Sequence, residues 1–261
     1  MALTSQQIIA LSLQDARVPG FTLNAGQLLN AILSEICETY NFEWSKSAFF
    51  FNLNPSLTPT NPNQVIGNGP YPLPSDYLRM RRRGVQYWFN GVPYQLVGDD
   101  EDEFDLQVQQ IGIASLPRQF WTDVSTQPCG LYIYPPPNGA YAAQAKYQCL
   151  MPDIGSGVTS TNGWAAGTAA PEVSSVVPWF RNTTYLRTRL SGEIMRITGD
   201  KRMAEFLGKN GNGTGAQDIL DRLLPMANDN MDRAQRVKLD QRRFGGASAY
   251  NRLPDTKNIF G

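Results

Sequence analysis

The chain has 261 residues, 41% hydrophobic and 18% charged, and its 23 Lys and Arg balance its 23 Asp and Glu. Such proportions belong to a folded chain long enough to bury a core, in one large domain or two small ones, and they exclude a disordered one. Histidine is absent, which removes the Ser-His-Asp and Cys-His nucleophile systems and the histidine metal ligands, so no catalysis, metal or cofactor is expected.

Thr4 is the N-cap of a first helix, in which Ile8, Leu11 and Ile9, Leu13, Ala16 recur at helical spacing until Pro19-Gly20 stops it. A second helix begins near Asn24 and carries Leu28, Leu29, Ile32, Leu33, Ile36, Cys37 and Tyr40 on one apolar face. It is expected to end around Phe42 to Trp44. From Ser47 the period changes from 3.6 to 2. "SAFFFNLN" is rich in strand formers, and the Pro-, Asn- and Gly-rich segment after it reads as a long irregular loop. "YLRMRRRGVQYWF" reads as one strand, or two joined at Gly84. Alternation puts Leu78 and Met80 on one face and Arg79 and Arg81 on the other. Asn90-Gly91 makes a type I′ turn into "VPYQLV".

Asp99 or Asp100 then caps a helix on which Phe104, Val108 and Ile111 recur, with the adjoining carboxylates near the positive end of its dipole. Strands follow at "RQFWTDV", "GLYIYP" and "AYAAQAKYQCL". Residues 153–178 are rich in Gly, Ser, Thr and Ala and read as a linker or mobile loop. Helix returns after Pro178, with Trp179, Thr183, Leu186, Leu190, Ile194 and Ile197 on one face and Gly199 at the end. "KRMAEFL" adds a turn or two. A long charged helix then runs from about Ala216 to Arg243, kinked at Pro225. The fold class expected is α+β: a helical domain of residues 1–46 and 179–244, a β-rich module inserted at 47–152, a flexible loop at 153–178 and an extended C-terminal tail at 245–261.

Arg79, Arg81, Arg82 and Arg83 form the densest basic cluster, and Asp99–Asp105 holds six carboxylates in seven positions. Zero net charge hides a split: residues 1–178 hold 8 Lys and Arg against 14 Asp and Glu, and residues 179–261 hold 15 against 9. Phosphate binding suits arginine, but the acidic first two thirds would repel a polyanion. The acidic run lacks the spacing of an EF-hand loop, and "GKNGNGTG" lacks the Lys-Ser/Thr that closes a phosphate loop. Helix capping and complementary charged surfaces explain these motifs better. Cys37, Cys129 and Cys149 are few, odd in number and far apart, which fits a reducing compartment. No signal peptide and no apolar run of membrane-spanning length is visible, so no membrane contact is expected.

In chain order, "YPLPSDYLRM" (71–80), "DEFDLQVQQIG" (102–112), "LPRQFW" (116–121), "LYIYPPP" (131–137), "AKYQCLMPDI" (145–154) and "PWFRNTTYLRTRLSGEIMRITGD" (178–200) resemble the head-to-tail adaptor, or tail tubular and neck connector, proteins of short-tailed bacteriophages. The resemblance implies a non-enzymatic ring, usually a dodecamer, between the portal protein and the tail nozzle or fibre proteins, around a channel that passes DNA without reading its sequence. It implies a place in the virion neck, after assembly in the host cytoplasm. It implies further that the C-terminal tail reaches the portal, a role falling here on Arg242, Arg243, Phe244, Tyr250, Arg252, Ile259 and Phe260. Arg79, Arg81, Arg82 and Arg83, with Asp99, Asp100, Glu101 and Asp102, are expected as charges paired within the ring or against the tail. The rival reading is a nucleic-acid-binding protein that uses the basic last third.

Overall fold

The computed structural model describes residues 2–58, 65–99, 104, 113–125, 129–209 and 212–232. Helix α1 (Ser5–Ala16) opens as the sequence dictates. The Gln7 N–H donates to the Thr4 hydroxyl and the Thr4 N–H to the Gln7 side chain, a complete capping box. Two more first-turn donors find distant acceptors, Ser5 N–H on Val176 O and Gln6 N–H on Ser174 O.

Helix α2 (Thr22–Thr39) starts two residues before Asn24 and ends short of the expected Phe42–Trp44, with Tyr40 already extended. Phe42 and Trp44 are instead drawn against Phe180, at 5.0 and 5.1 Å between ring centroids, so the backbone has to leave the helix axis before them. Helix α3 (Thr183–Thr198) is capped by Asn182, whose Oδ1 accepts the Tyr185 N–H at 2.9 Å, and ends on Gly199 at φ 73°. Its apolar face matches the expected one through Ile194, whereas Ile197 is exposed and Trp179 is buried ahead of the helix. Helices α4 (Met203–Leu207) and α5 (Ala216–Asp232) follow. The stretch from 233 to Arg243, the tail 245–261, and Asp100–Glu103 with 105–112 lie outside the described residues. Phe104 is described and buried.

The chain is thus α+β. One core joins Ile8, Leu29, Ile36, Leu186, Leu190 and Ile194 of the helices to Tyr147 and Cys149 of a strand. The strands are β1 (Lys46–Leu53), β2 (Tyr71–Pro72), β3 (Tyr77–Phe89), β4 (Val92–Gln95), β5 (Val97–Gly98), β6 (Gln119–Asp123), β7 (Gly130–Tyr134) and β8 (Tyr141–Cys149). They form two four-stranded sheets, in the orders β1-β8-β3-β4 and β2-β7-β6-β5. The chain passes from one to the other in a single step: Leu96 N–H bonds Val85 O, and Val97 N–H bonds Arg118 O. A second core of Leu53, Val85, Tyr87, Leu96, Phe120, Leu131 and Ile133 fills the space between them. The Asn90-Gly91 turn has positive φ at both residues, 51° and 78°, as a type I′ turn requires.

β3 is one strand with a defect at its middle. Met80 pairs with Tyr147 and Val85 with Ala145, so Arg81, Arg82, Arg83 and Gly84 stand opposite Lys146 alone. The arginine cluster is therefore a wide bulge, and Gly84 explains it. A Cβ there would lie 2.5 Å from Lys146 O and 3.0 Å from Arg81 O, so no other residue lets the two backbones approach so closely.

Residues 153–178, expected as a linker or mobile loop, pack instead as a layer over the helices and β8. Asn30 clamps Ile154 with both ends of its side chain. Asp76 accepts from Tyr147 Oη at 2.8 Å, Thr161 N–H at 2.7 Å and Thr161 Oγ1 at 2.8 Å. Small residues here let backbone approach backbone: a Cβ on Gly155 would lie 3.0 Å from Ala169 O.

The junction of β8 with the helices predicts an alkaline limit to stability. Cys149 is fully buried and donates to Ser45 O; burial pushes its thiol from 9.0 up to about 12. Burial likewise pushes Tyr185 from 10.0 up to about 12, and raises Tyr147. Above pH ~9 the unfolded chain releases these protons while the folded chain keeps them, so stability falls as pH rises, by roughly 1.4 kcal/mol per unit for each such group. The urea midpoint should hold steady from pH 7 to 8.5 and decline steeply from 9 to 11. Cys149→Ala should flatten the early part of the decline, and a flat wild-type curve to pH 11 would contradict the assignment.

Candidate functional site

The four clustered arginines do not act alike, and the backbone decides which does what. Arg79 precedes the bulge and turns inward to the end of α2. Its Nη2 donates to Cys37 O at 3.2 Å and Tyr40 O at 2.9 Å, its Nη1 to Glu38 O, and its Nε to Asn41 Oδ1 at 2.6 Å. A helix C-terminus leaves carbonyls without intrahelical donors and carries partial negative charge, and one guanidinium answers both needs. Burial lowers the pKa of Arg79, without discharging it. Arg79 is therefore committed inside the chain.

Arg81 is half-buried, and its Nε and Nη2 are shut from solvent with no hydrogen-bond acceptor. Burial alone lowers its pKa. Arg83 is exposed, and Arg82 is placed on the bulge by its backbone. Of the acids expected opposite them, Asp99 follows directly on β5, which is adjacent to β3; Asp100, Glu101 and Asp102 lie outside the described residues. So do all the residues expected at the portal: Arg242, Arg243, Phe244, Tyr250, Arg252, Ile259 and Phe260.

Among the described residues of the basic last third, Arg187, Arg189, Arg196, Arg202 and Lys209 are engaged in ion pairs. Arg187 Nε and Nη2 grip both oxygens of Asp15 at 2.7 Å, which locks α3 to α1 and raises the Arg187 pKa. Arg189 meets Glu35 at 3.3 Å and Glu193 at 3.0 Å; Arg196 meets Glu193 at 2.7 Å. Arg202 pairs with Asp200 and Lys209 with Asp221, each at 2.6 Å. Spacing predicts the Arg196–Glu193 and Arg189–Glu193 contacts as i, i+3 and i, i+4 pairs. The Asp15 and Glu35 contacts join helices far apart in sequence, and nothing local marks them. Neither does anything local mark Asp76, which "PLPSD" makes look like an ordinary turn residue.

Among the described residues no three His, Cys, Asp or Glu side chains gather as a metal-ligand set. None of the described helices is long and apolar enough to cross a membrane. The surface is instead one of charged bulge, edge strands and interlocked ion pairs, suited to contact with other proteins. The SU10 adaptor protein family model matches residues 4–177, from the N-cap of α1 through both sheets to the end of the packed loop. With two thirds of its length matched, the chain belongs to that family. No curated protein matches it.

Proposed function

We propose that this chain is a ring-forming head-to-tail adaptor of the virion neck, joining the portal to the tail nozzle or fibre proteins and lining the channel through which DNA is ejected. Its work is structural and non-enzymatic. The observation that carries this reading is the family match across both sheets and the helical pair that supports them. Helices α1, α2 and α3 share one core, which β8 joins through Tyr147 and Cys149, and a further core lies between the two sheets. In a dodecameric ring the bulge arginines of one copy meet acidic surface of another, the Asp99–Asp102 run included, or of the tail. A rotational repeat sets unlike patches against each other, which suits a chain acidic in one part and basic in another. The rival reading, nucleic-acid binding by the basic last third, loses the five described side chains Arg187, Arg189, Arg196, Arg202 and Lys209, which are already paired.

The tail supplies the test. Tyr250, Leu253, Ile259 and Phe260 are spaced as separate anchors, with Arg252 and Lys257 between them. Truncation after Phe244 should leave the melting temperature of the free protein within about 2 °C, since the tail contains no apolar periodicity with which to join the core. Binding to the portal, measured by biolayer interferometry, should weaken by roughly 100-fold or more. A truncated protein that docks as tightly as the full chain would remove the tail from the portal interface.

A further inference from the structure

We infer that the outer edge of β1 is a docking surface for a second copy of this chain, which adds its own β1 antiparallel to it and centred on Phe50. The inference is independent of the ring-forming reading, because a two-fold contact closes on a pair and builds no ring. The direction of the hydrogen bonds across the sheet shows what the edge offers. Leu96 N–H bonds Val85 O, so Val85 and Tyr87 turn their backbone groups toward β4 and Gln86 turns its own toward β8. Gln86 stands opposite Gln144, while Ala143 and Ala145 stand opposite Phe51 and Phe49. The alternation therefore points the backbone groups of Phe49 and Phe51 at β8, and those of Ala48, Phe50 and Asn52 at the open side. Lys46 agrees with this direction, since its N–H leaves the sheet for Glu43 O. Among the described residues, none bonds the backbone of Ala48, Phe50 or Asn52 on that side.

An open edge is ordinarily guarded by charge, proline or a bulge. The opposite edge of the same sheet is guarded: Pro93 of β4 pairs with Trp88 at a position whose nitrogen faces outward, so that edge lacks a donor there. β1 has no such guard. From Ser47 to Leu53 it carries neither charge nor proline, and Phe50 at its middle is 73% exposed. Phe49 and Phe51, whose rings stack at 5.3 Å on the core side, are only half-buried. The sequence of the strand selects its occupant. Paired antiparallel about Phe50, "AFFFN" sets Ala48 against the partner's Asn52, Phe49 against the partner's Phe51, and Phe50 against the partner's Phe50. Every open N–H and C=O of Ala48, Phe50 and Asn52 then finds a mate. Phe49 and the partner's Phe51 form a closely spaced aromatic pair on the core side. No like charges meet, since Lys46 falls opposite the partner's Asn54.

Phe50→Lys and Phe50→Glu test this in the full-length protein, because so exposed a ring adds little to the protomer core. Each variant alone should keep the melting temperature of the dilute protein within about 2 °C. In sedimentation velocity across a concentration series, each should weaken pairing by roughly 10-fold or more, since like charges then meet across the two-fold axis. An equal mixture of the two should regain the pair, a result expected only where position 50 of one copy meets position 50 of the other. Ala48→Pro, which removes an outward N–H where an edge strand tolerates proline, should also weaken pairing without unfolding the protomer. Assembly on the portal should survive Phe50→Lys, so that this inference and the ring-forming reading fail separately. If the wild type shows no two-copy species at any concentration, or if both single variants pair as tightly as the wild type, the inference is overturned. If the single variants fail to pair and their mixture fails too, the edge meets a different patch and the two-fold assignment is wrong. If Phe50→Lys abolishes assembly on the portal, the edge serves the ring, and the two-fold assignment is again wrong.

Discussion

Gly84→Val should destabilise the protein by roughly 3 kcal/mol or more, the largest effect expected of any single substitution in the sheets. The added Cβ would meet two backbone carbonyls, Lys146 O at 2.5 Å and Arg81 O at 3.0 Å, and the Met80 sulfur at 3.0 Å. Flexible side chains move aside cheaply; a carbonyl in a central strand does not, because moving it breaks the β3–β8 ladder on both sides of the bulge. The urea midpoint should drop with little change in slope, and amide exchange should accelerate in both strands. Gly91→Ala is the control. That glycine has φ 78°, but a Cβ added there would meet nothing within 4 Å, so only backbone strain is added and the loss should stay near 1 kcal/mol. If Gly84→Val matched the control, the bulge would be deformable, and Arg81 would not be held where it is.

Arg79→Ala should cost about 2–4 kcal/mol, through the helix rather than through the sheet. It would strand the carbonyls of Cys37, Glu38 and Tyr40 and the side chain of Asn41, and remove the positive charge from the negative end of α2. Because the loss is local, exchange protection should fall first in the last turn of α2. Arg79→Lys should recover less than half of the loss, since one ammonium cannot span four acceptors with the reach of a guanidinium. Equal stability of Arg79→Ala and wild type would place these bonds among contacts that contribute nothing.

How far the sequence could be read depended on the range of the interaction concerned. The Thr4 N-cap, the Asn90-Gly91 turn and the Gly199 stop are short-range patterns, and each stands where expected. Arg79 was legible as a charge opposite Leu78 and Met80, but not as the partner of α2, because its acceptors lie some forty residues back and all but Asn41 Oδ1 are backbone atoms. The loop at 153–178 has the composition of a linker. Its order comes from Asp76 and Asn30, single residues in other segments whose local surroundings do not distinguish them. Gly84 inside a run of strand formers was the one local sign of the bulge; it left two readings open, one strand or two. The early end of α2 belongs to the same category, set by Phe180, which lies far along the chain.

The two bonds from the first turn of α1 to residues 174 and 176, and the packing of α1 on α3, have a consequence for the timing of synthesis. α1 and α2 leave the ribosome with their apolar faces uncovered, and the segments that cover them are made only after both sheets. At about 5–20 residues per second, roughly 10–35 seconds separate α1 from α3. The sheets can close in the interval, since their core draws only on residues between Phe49 and Ala145. The nascent helical pair meanwhile leaves Ile8, Leu29 and Ile36 without their partners on α3 until the last third of the chain arrives.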